Sequence, residues 1–393
     1  MTTRKRRLLI NKEVTIMTDT ILLATAERIA SAASYMDIFD SVDMDSDADA
    51  SIKKTFRALA RVLHPDRYSD WCSKATASEA FVKLGVLRQQ ADEAVRSGRY
   101  GQPVYLATIT SKRATHRLQY ALGDGDICAT YASSSNDGTG TKDMFVKIAK
   151  NPSDSDLLLT EALALKRLHS KNTEEKWQCY VPKLLDSFLY TASSGARQQA
   201  NVTPLLKGFY SLDQLRRIFP GGIDSRHAVW IFRRLLAALG FAHDNNVIHG
   251  AVLPRHVMVL PEQHGVVLVD WCYASLAEAG QAFPPVKVVV TTYKDWYPEE
   301  VFAKRSPSPA TDIVMAARSI ILLLGGDPMS GTLPHAVPMP IRAFLRGCIQ
   351  KHQSMRPQNA WLLLREFDEL LETMGAPYFP RRFLPLVLPK GDT

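Results

Sequence analysis

The sequence predicts a multidomain chain in which an all-α unit, built around a helical hairpin, is followed by an α+β unit. Three observations carry this. Residues 52–63 place apolar side chains at helical spacing. From about residue 104 the pattern changes to the strand-like segments "RLQYAL", "ICATYA" and "MFVKIA", separated by the turn formers "GDGD" and "SSSNDGTG". From residue 208 onward it returns mostly to helix. With 393 residues, 46% hydrophobic and 22% charged, the chain is long enough for two or three domains with real cores.

Residues 1–33 hold a basic tail and a helix-like run, "ILLATAERIASAA". The formal charge is +8, and Arg4, Lys5, Arg6, Arg7 and Lys12 against Glu13 place +4 of it in the first sixteen residues. The basic balance is thus partly a tail effect, for which a solvated terminus is the simpler reading than nucleic-acid binding. Residues 34–101 form a helix-patterned unit. In "SIKKTFRALARVLHPDRYSD", Ile52, Phe56, Leu59, Ala60 and Leu63 make one stripe, while Lys53, Arg57 and Arg61 line another face and Lys54 adds to its charge. The helix stops at His64, because Pro65 disfavours helical geometry in the residue before it. A second, alanine-rich helix follows in "ASEAFVKLGVLRQQADEAVRSG".

Residues 34–101 resemble the J domain of DnaJ-type co-chaperones. The short helix in "YMDIF", the basic helix, the His64-Pro65-Asp66 loop, and a third helix with Phe81, Lys83 and a closing "GRY" carry the resemblance. It implies docking onto a DnaK-type heat-shock chaperone and stimulation of its ATPase. Lys53, Lys54, Arg57 and Arg61 would steer the encounter with an acidic surface, and His64, Pro65 and Asp66 would form the triggering loop. The bland alternatives are a solvated helix face and an ordinary turn histidine.

In the second unit, Gly123 and Gly125 of "LGDGDICATY" permit a tight turn whose amides can approach phosphates, although a plain hairpin turn uses the same residues. Lys147 lies in the strand-like "MFVKIAK" and Glu161 on the helix-like "LLLTEALALKRL". "NVTPLLKGFYSLDQL" precedes a long amphipathic segment, "AVWIFRRLLAALGFAHDNNVIHG". Asp270 stands in "GVVLVDWCYA", Thr292, Pro298 and Glu299 in "TTYKDWYPEEV", Asp312 in "TDIVMAARSI" and Arg356 in "QSMRPQNAWLLL".

In that order these residues resemble the landmarks of the two-lobed eukaryotic-type protein kinase fold over residues 104–376, with a small lobe at 104–206 and a large lobe at 208–376. Residues 377–393 are a proline-broken basic tail. The resemblance implies nucleotide binding by Gly123, Gly125, Lys147, Glu161 and Asp270, with Asp270 as a metal ligand and ATP with magnesium as the cofactor. It also implies structural roles for Asp312, as a cap on the catalytic loop, and for Arg356, paired with Glu299.

The match fails at the catalytic loop, "VIHGAVLPRHVMVL". His249 is kept, but Ala251 stands where the resemblance requires the aspartate that accepts the substrate proton, and a methyl group accepts none. His256 replaces the metal-binding asparagine, Gly250 replaces the arginine, and Cys128 replaces the third glycine of the phosphate loop. Nothing in the sequence places Glu262 or His264, in the following turn, as a substitute base. The expectation is therefore no catalytic residue and a pseudokinase that binds nucleotide or a client protein. An active, divergent serine/threonine kinase delivered by its J domain is the alternative, and a scaffold without nucleotide is a third. Five scattered cysteines without CxxC spacing, no developed signal-peptide segment and no apolar run near twenty residues point to a cytoplasmic protein without a membrane or nucleic-acid partner.

Overall fold

The computed structural model describes residues 21–30, 32, 34–39, 48–68, 71–96, 100, 106–136, 141–171, 173–192 and 195–389. The basic tail at residues 1–20 and most of the 97–105 connection lie outside the described residues. The chain divides into two compact units: residues 1–108 with 117–121 and 389–393, and residues 109–116 with 122–388.

The first unit contains helix α1 (residues 21–30), α2 (Met36–Phe39), α3 (Ala48–Leu63) and α4 (Trp71–Arg96). Ala77, Ala80, Leu84, Leu87, Ala91 and Ala94 of α4 alternate three and four residues apart, so they form one buried stripe. Small side chains along it let α3 approach closely, and Ile52 and Leu63 bury fully against it. Leu22, Ala26 and Ile29 enter the same core, so α1, assigned by its sequence to the segment before the first domain, is part of that domain's packing. The closing Tyr100 is buried and donates its hydroxyl to the Phe39 carbonyl.

A six-stranded sheet, most of it in the second unit, is formed by β1 (Ala107–Thr110), β2 (Thr115–Asp124), β3 (Cys128–Asn136), β4 (Thr141–Ala149), β5 (Asp186–Thr191) and β6 (Arg197–Pro204). Its strand order is β1-β2-β3-β4-β6-β5. Helix α5 (Ser155–Leu168) packs on the sheet. The three strand segments read from the sequence are β2, β3 and β4.

Helices dominate after residue 208: α6 (Leu212–Ile218), α7 (Ser225–Asp244), α8 (Glu299–Phe302), α9 (Pro309–Leu323), α10 (Met339–Cys348) and α11 (Ala360–Met374). Short strands β7 (Tyr210–Ser211), β8 (Val247–Ile248), β9 (Val257–Leu260), β10 (Gly265–Leu268) and β11 (Ser275–Leu276) pair as β10-β9-β7 and β11-β8. Helix α7 is buried nearly all round because it is the axis on which α9 and α11 pack. Residues 377–388 form a strap over this helical region. Tyr378 hydrogen-bonds Ser225 at 2.7 Å, Arg381 pairs with Asp368, Leu386 is buried, and Phe383 stacks on His264, whose other face covers Trp230. No helix among the described residues is long and apolar enough to cross a membrane.

Candidate functional site

In the first unit, Pro65 forces His64 into extended backbone (ψ 121°) at the end of α3, and Pro65–Arg67 then make one turn of 3-10 helix. The turn is pinned from both sides. Arg67 Nη1 reaches the Arg61 carbonyl at 2.6 Å, and Tyr68 Oη reaches that of Val62 at 2.6 Å. His64 itself is exposed, lies edge-on to Phe81 of α4 and accepts weakly from the Asp66 amide at 3.4 Å. Lys54, Arg57 and Arg61 are exposed on α3, and Lys53 pairs with Asp49 one turn back. An exposed, internally fastened turn thus adjoins a cationic helix face.

In the second unit, Lys147 is central in β4, opposite Thr130 on β3 and Asn201 on β6. Its ammonium lies 2.7 Å from Glu161 Oε1 and 2.6 Å from Asp270 Oδ1. Asn201 fixes the other oxygen of Glu161 at 3.0 Å, and Cys272 Sγ stands 3.7 Å from the same ammonium. Burial works against each charge here. The paired carboxylates nonetheless hold the lysine well above its ordinary range, and Lys147 with His256 holds Asp270 well below its own. The same burial pushes the Cys128 thiol up to about 12, so it packs as a neutral side chain.

The segment at residues 247–260 is held by buried hydrogen bonds. Asp312 accepts both the His249 and Gly250 amides at 2.8 Å, and His249 Nε2 donates to the Val269 carbonyl at 3.0 Å. Its Nδ1 accepts from the Ala251 amide. Burial lowers the His249 pKa to about 4, which fits this neutral tautomer. Gly250 has φ +74°, and a Cβ there would stand 2.6 Å from the Tyr273 carbonyl oxygen. The backbone, and not only the loss of an arginine, therefore requires glycine at this position.

Ala251 is fully buried, its side chain is a methyl group, and its carbonyl meets His256 Nδ1 at 2.8 Å. His256 Nε2 lies 2.9 Å from Asp270 Oδ2. Both ring nitrogens face oxygen acceptors, which leaves neither to take a proton from a hydroxyl. Both oxygens of Asp270 are engaged by protein cations or donors, and no oxygen ligand stands at position 256. These residues do not fit the pair of magnesium ions that kinase chemistry requires. Glu161, Asp270 and Cys272 do converge, but the Lys147 ammonium already sits among them. Gly125 spends its amide on the Cys128 carbonyl at 3.0 Å, and the Gly123 carbonyl accepts from Thr130, so both glycines serve a β-hairpin. The His264 of the following turn is occupied by its stack with Trp230 and Phe383.

An open cleft of roughly 730 Å³ is lined largely by residues of α6, β9 and the segments flanking them. Leu122 and Met258 supply apolar lining, Arg217 and Arg255 two guanidiniums, and Thr292 and Tyr293 the edge contributed by the segment before α8. Neither Lys147, Glu161 nor Asp270 lines it.

One expected pair is shifted by a residue. Arg356 Nη1 bonds Glu300 Oε1 at 2.7 Å with both side chains buried, whereas Glu299 is exposed and faces Arg305. Sequence reading of the site also missed Asn201, which orients Glu161, and the His256–Asp270 contact. The first depends on the register that sets β6 against β4, with Asn201 opposite Lys147. The second depends on Asp270 adopting a left-handed backbone, φ +69°, which a residue pattern does not announce.

No family model matches the chain. Over 122 residues it is 31% identical to the cyclin-dependent kinase-like 2 of Rattus norvegicus, covering 30% of this chain and 22% of that protein. The corresponding Mus musculus protein matches at the same identity, with 20% of its length covered. The chain thus spans about a fifth of the curated relatives it matches, and the match supports a protein kinase-like domain within it.

Proposed function

We propose that this chain is a J-domain co-chaperone whose kinase-like domain serves as a binding module with impaired phosphoryl transfer. The exposed His64-Pro65-Asp66 turn, fastened between a cationic helix and its partner helix, is the observation that carries the reading. In this reading Lys53, Lys54, Arg57 and Arg61 steer a DnaK-type chaperone to the turn, and the turn stimulates its ATPase. The clamped Asp270 and the alanine at position 251 support impaired phosphoryl transfer, and in this reading the second unit selects a client protein. The formed Lys147–Glu161 pair supports a residual nucleotide site, which thermal-shift titration with ATP, with and without magnesium, measures directly.

His64 is exposed, so His64→Gln should leave helix content and melting temperature unchanged while abolishing stimulation of the chaperone ATPase. Unchanged stimulation in that variant sinks the co-chaperone reading. The same Lys147–Glu161 pair favours a second reading, an active divergent serine/threonine kinase. Radiolabelled phosphate transfer that disappears in both Lys147→Met and Asp270→Ala would establish it.

A further inference from the structure

We propose that the open cleft of the second unit, with Arg217 and Arg255 along it, is the docking site for an acidic peptide segment of a partner protein. The proposal rests on the binding-module reading and names the class of partner that the module takes. Its volume, roughly 730 Å³, is within the ordinary range for a binding site of a few hundred to a thousand Å³.

The lining carries two arginines against one carboxylate. Arg217, near the end of α6, and Arg255, in the loop before β9, are both exposed, and neither has an ion-pair partner among the described residues. Asp213 is the cleft's carboxylate, and its Oδ2 already accepts the Tyr293 hydroxyl. Two guanidiniums without ion-pair partners, against one carboxylate, leave the cleft with net positive charge, which favours carboxylates that meet them in the bidentate geometry arginine prefers. Leu122 and Met258 give the occupant an apolar bed, and the exposed Thr292 hydroxyl offers a further polar contact.

Two alternatives fit less well. A nucleotide held by Lys147 would place its phosphates in the buried cluster, and none of Lys147, Glu161 and Asp270 lines this cleft. Single-stranded RNA is held by aromatic platforms, whereas the aromatic ring lining this cleft is Tyr293, which is packed edge-on to Trp296 and tied by its hydroxyl to Asp213.

The test is fluorescence anisotropy on the full chain with three labelled eight-unit probes: alternating glutamate and serine, alternating lysine and serine, and single-stranded RNA. The acidic peptide should bind best and weaken as salt rises. The double variant Arg217→Glu, Arg255→Glu should weaken it by about tenfold or more, from the loss and reversal of two exposed charge contacts. Arg217→Lys with Arg255→Lys should keep much of the affinity, and Arg365→Glu, an exposed reversal outside the cleft, should keep all of it. Equal binding of the lysine peptide, tighter RNA binding through the same arginines, or acidic binding indifferent to the double reversal overturns the proposal. If radiolabelled ATP then labels the bound peptide's serines, docking stands and the impaired-transfer reading fails. A failed His64→Gln test leaves docking untouched.

Discussion

Lys147 is the residue on which the buried charges of the second unit depend. Its ammonium separates two carboxylates whose side chains are 4% and 21% exposed. Removing one partner of such a cluster leaves charge without compensation, so Lys147→Met should cost about 3–5 kcal/mol in urea unfolding of this unit. Returning the cluster to its parental net charge with Asp270→Asn in the same chain should recover part of the loss. A Lys147→Met protein as stable as the parent would show that the three groups are not coupled in solution. Much at this scale was legible. Lys147, Glu161, Asp270, Asp312 and Arg356 stand in the order the resemblance requires, and the structure brings the first three within bonding distance. The choice between Glu299 and Glu300 was not. Two adjacent glutamates start α8, and only the rotation of that helix decides which one turns inward to Arg356. The closure of His256 on Asp270 was equally hidden, because neither residue type demands the other and the contact is created by one unusual backbone angle.

Between elements, α7 and α11 approach closely. A Cβ on Gly240 would lie 2.5 Å from the Trp361 ring, whose Nε1 donates to Asp244 at 2.7 Å, and Arg233 grips Asp368 with two contacts on the same pair of helices. Gly240→Ala should therefore lower stability by about 1–3 kcal/mol through overpacking, despite the better helix propensity of alanine. Calorimetry checks the sign, since an exposed helical site would be stabilised instead. Element type was readable wherever a periodic pattern ran long enough. The stripe of α3 and strands β2 to β4 are examples. Element partners were not. Helix α1 carries an apolar face, but its placement in the α3–α4 core depends on contacts made after folding, such as Lys83 Nζ to the Ala30 carbonyl at 2.6 Å. The start of α4 at Trp71 also precedes the alanine-rich segment read from the sequence, because the helix initiates soon after the 65–67 turn ends.

For the whole molecule, two separate hydrophobic cores predict two cooperative transitions in denaturant. Leu84 is fully buried in the first core, so Leu84→Ala should move one transition by about 2–5 kcal/mol and leave the other in place. A single transition that shifts as one would mean that the units unfold together. The strap at residues 377–388 bears on how this chain is handled at the bench. Residue 376, where the kinase resemblance ends, looks like a natural place to stop a recombinant fragment. A fragment ending there lacks Leu386 and Phe383, uncovers the His264–Trp230 stack and removes a hydroxyl partner from Ser225. It would present a new oily face that promotes self-association. Fragments of the second unit should run through Leu388, and affinity tags belong beyond that point.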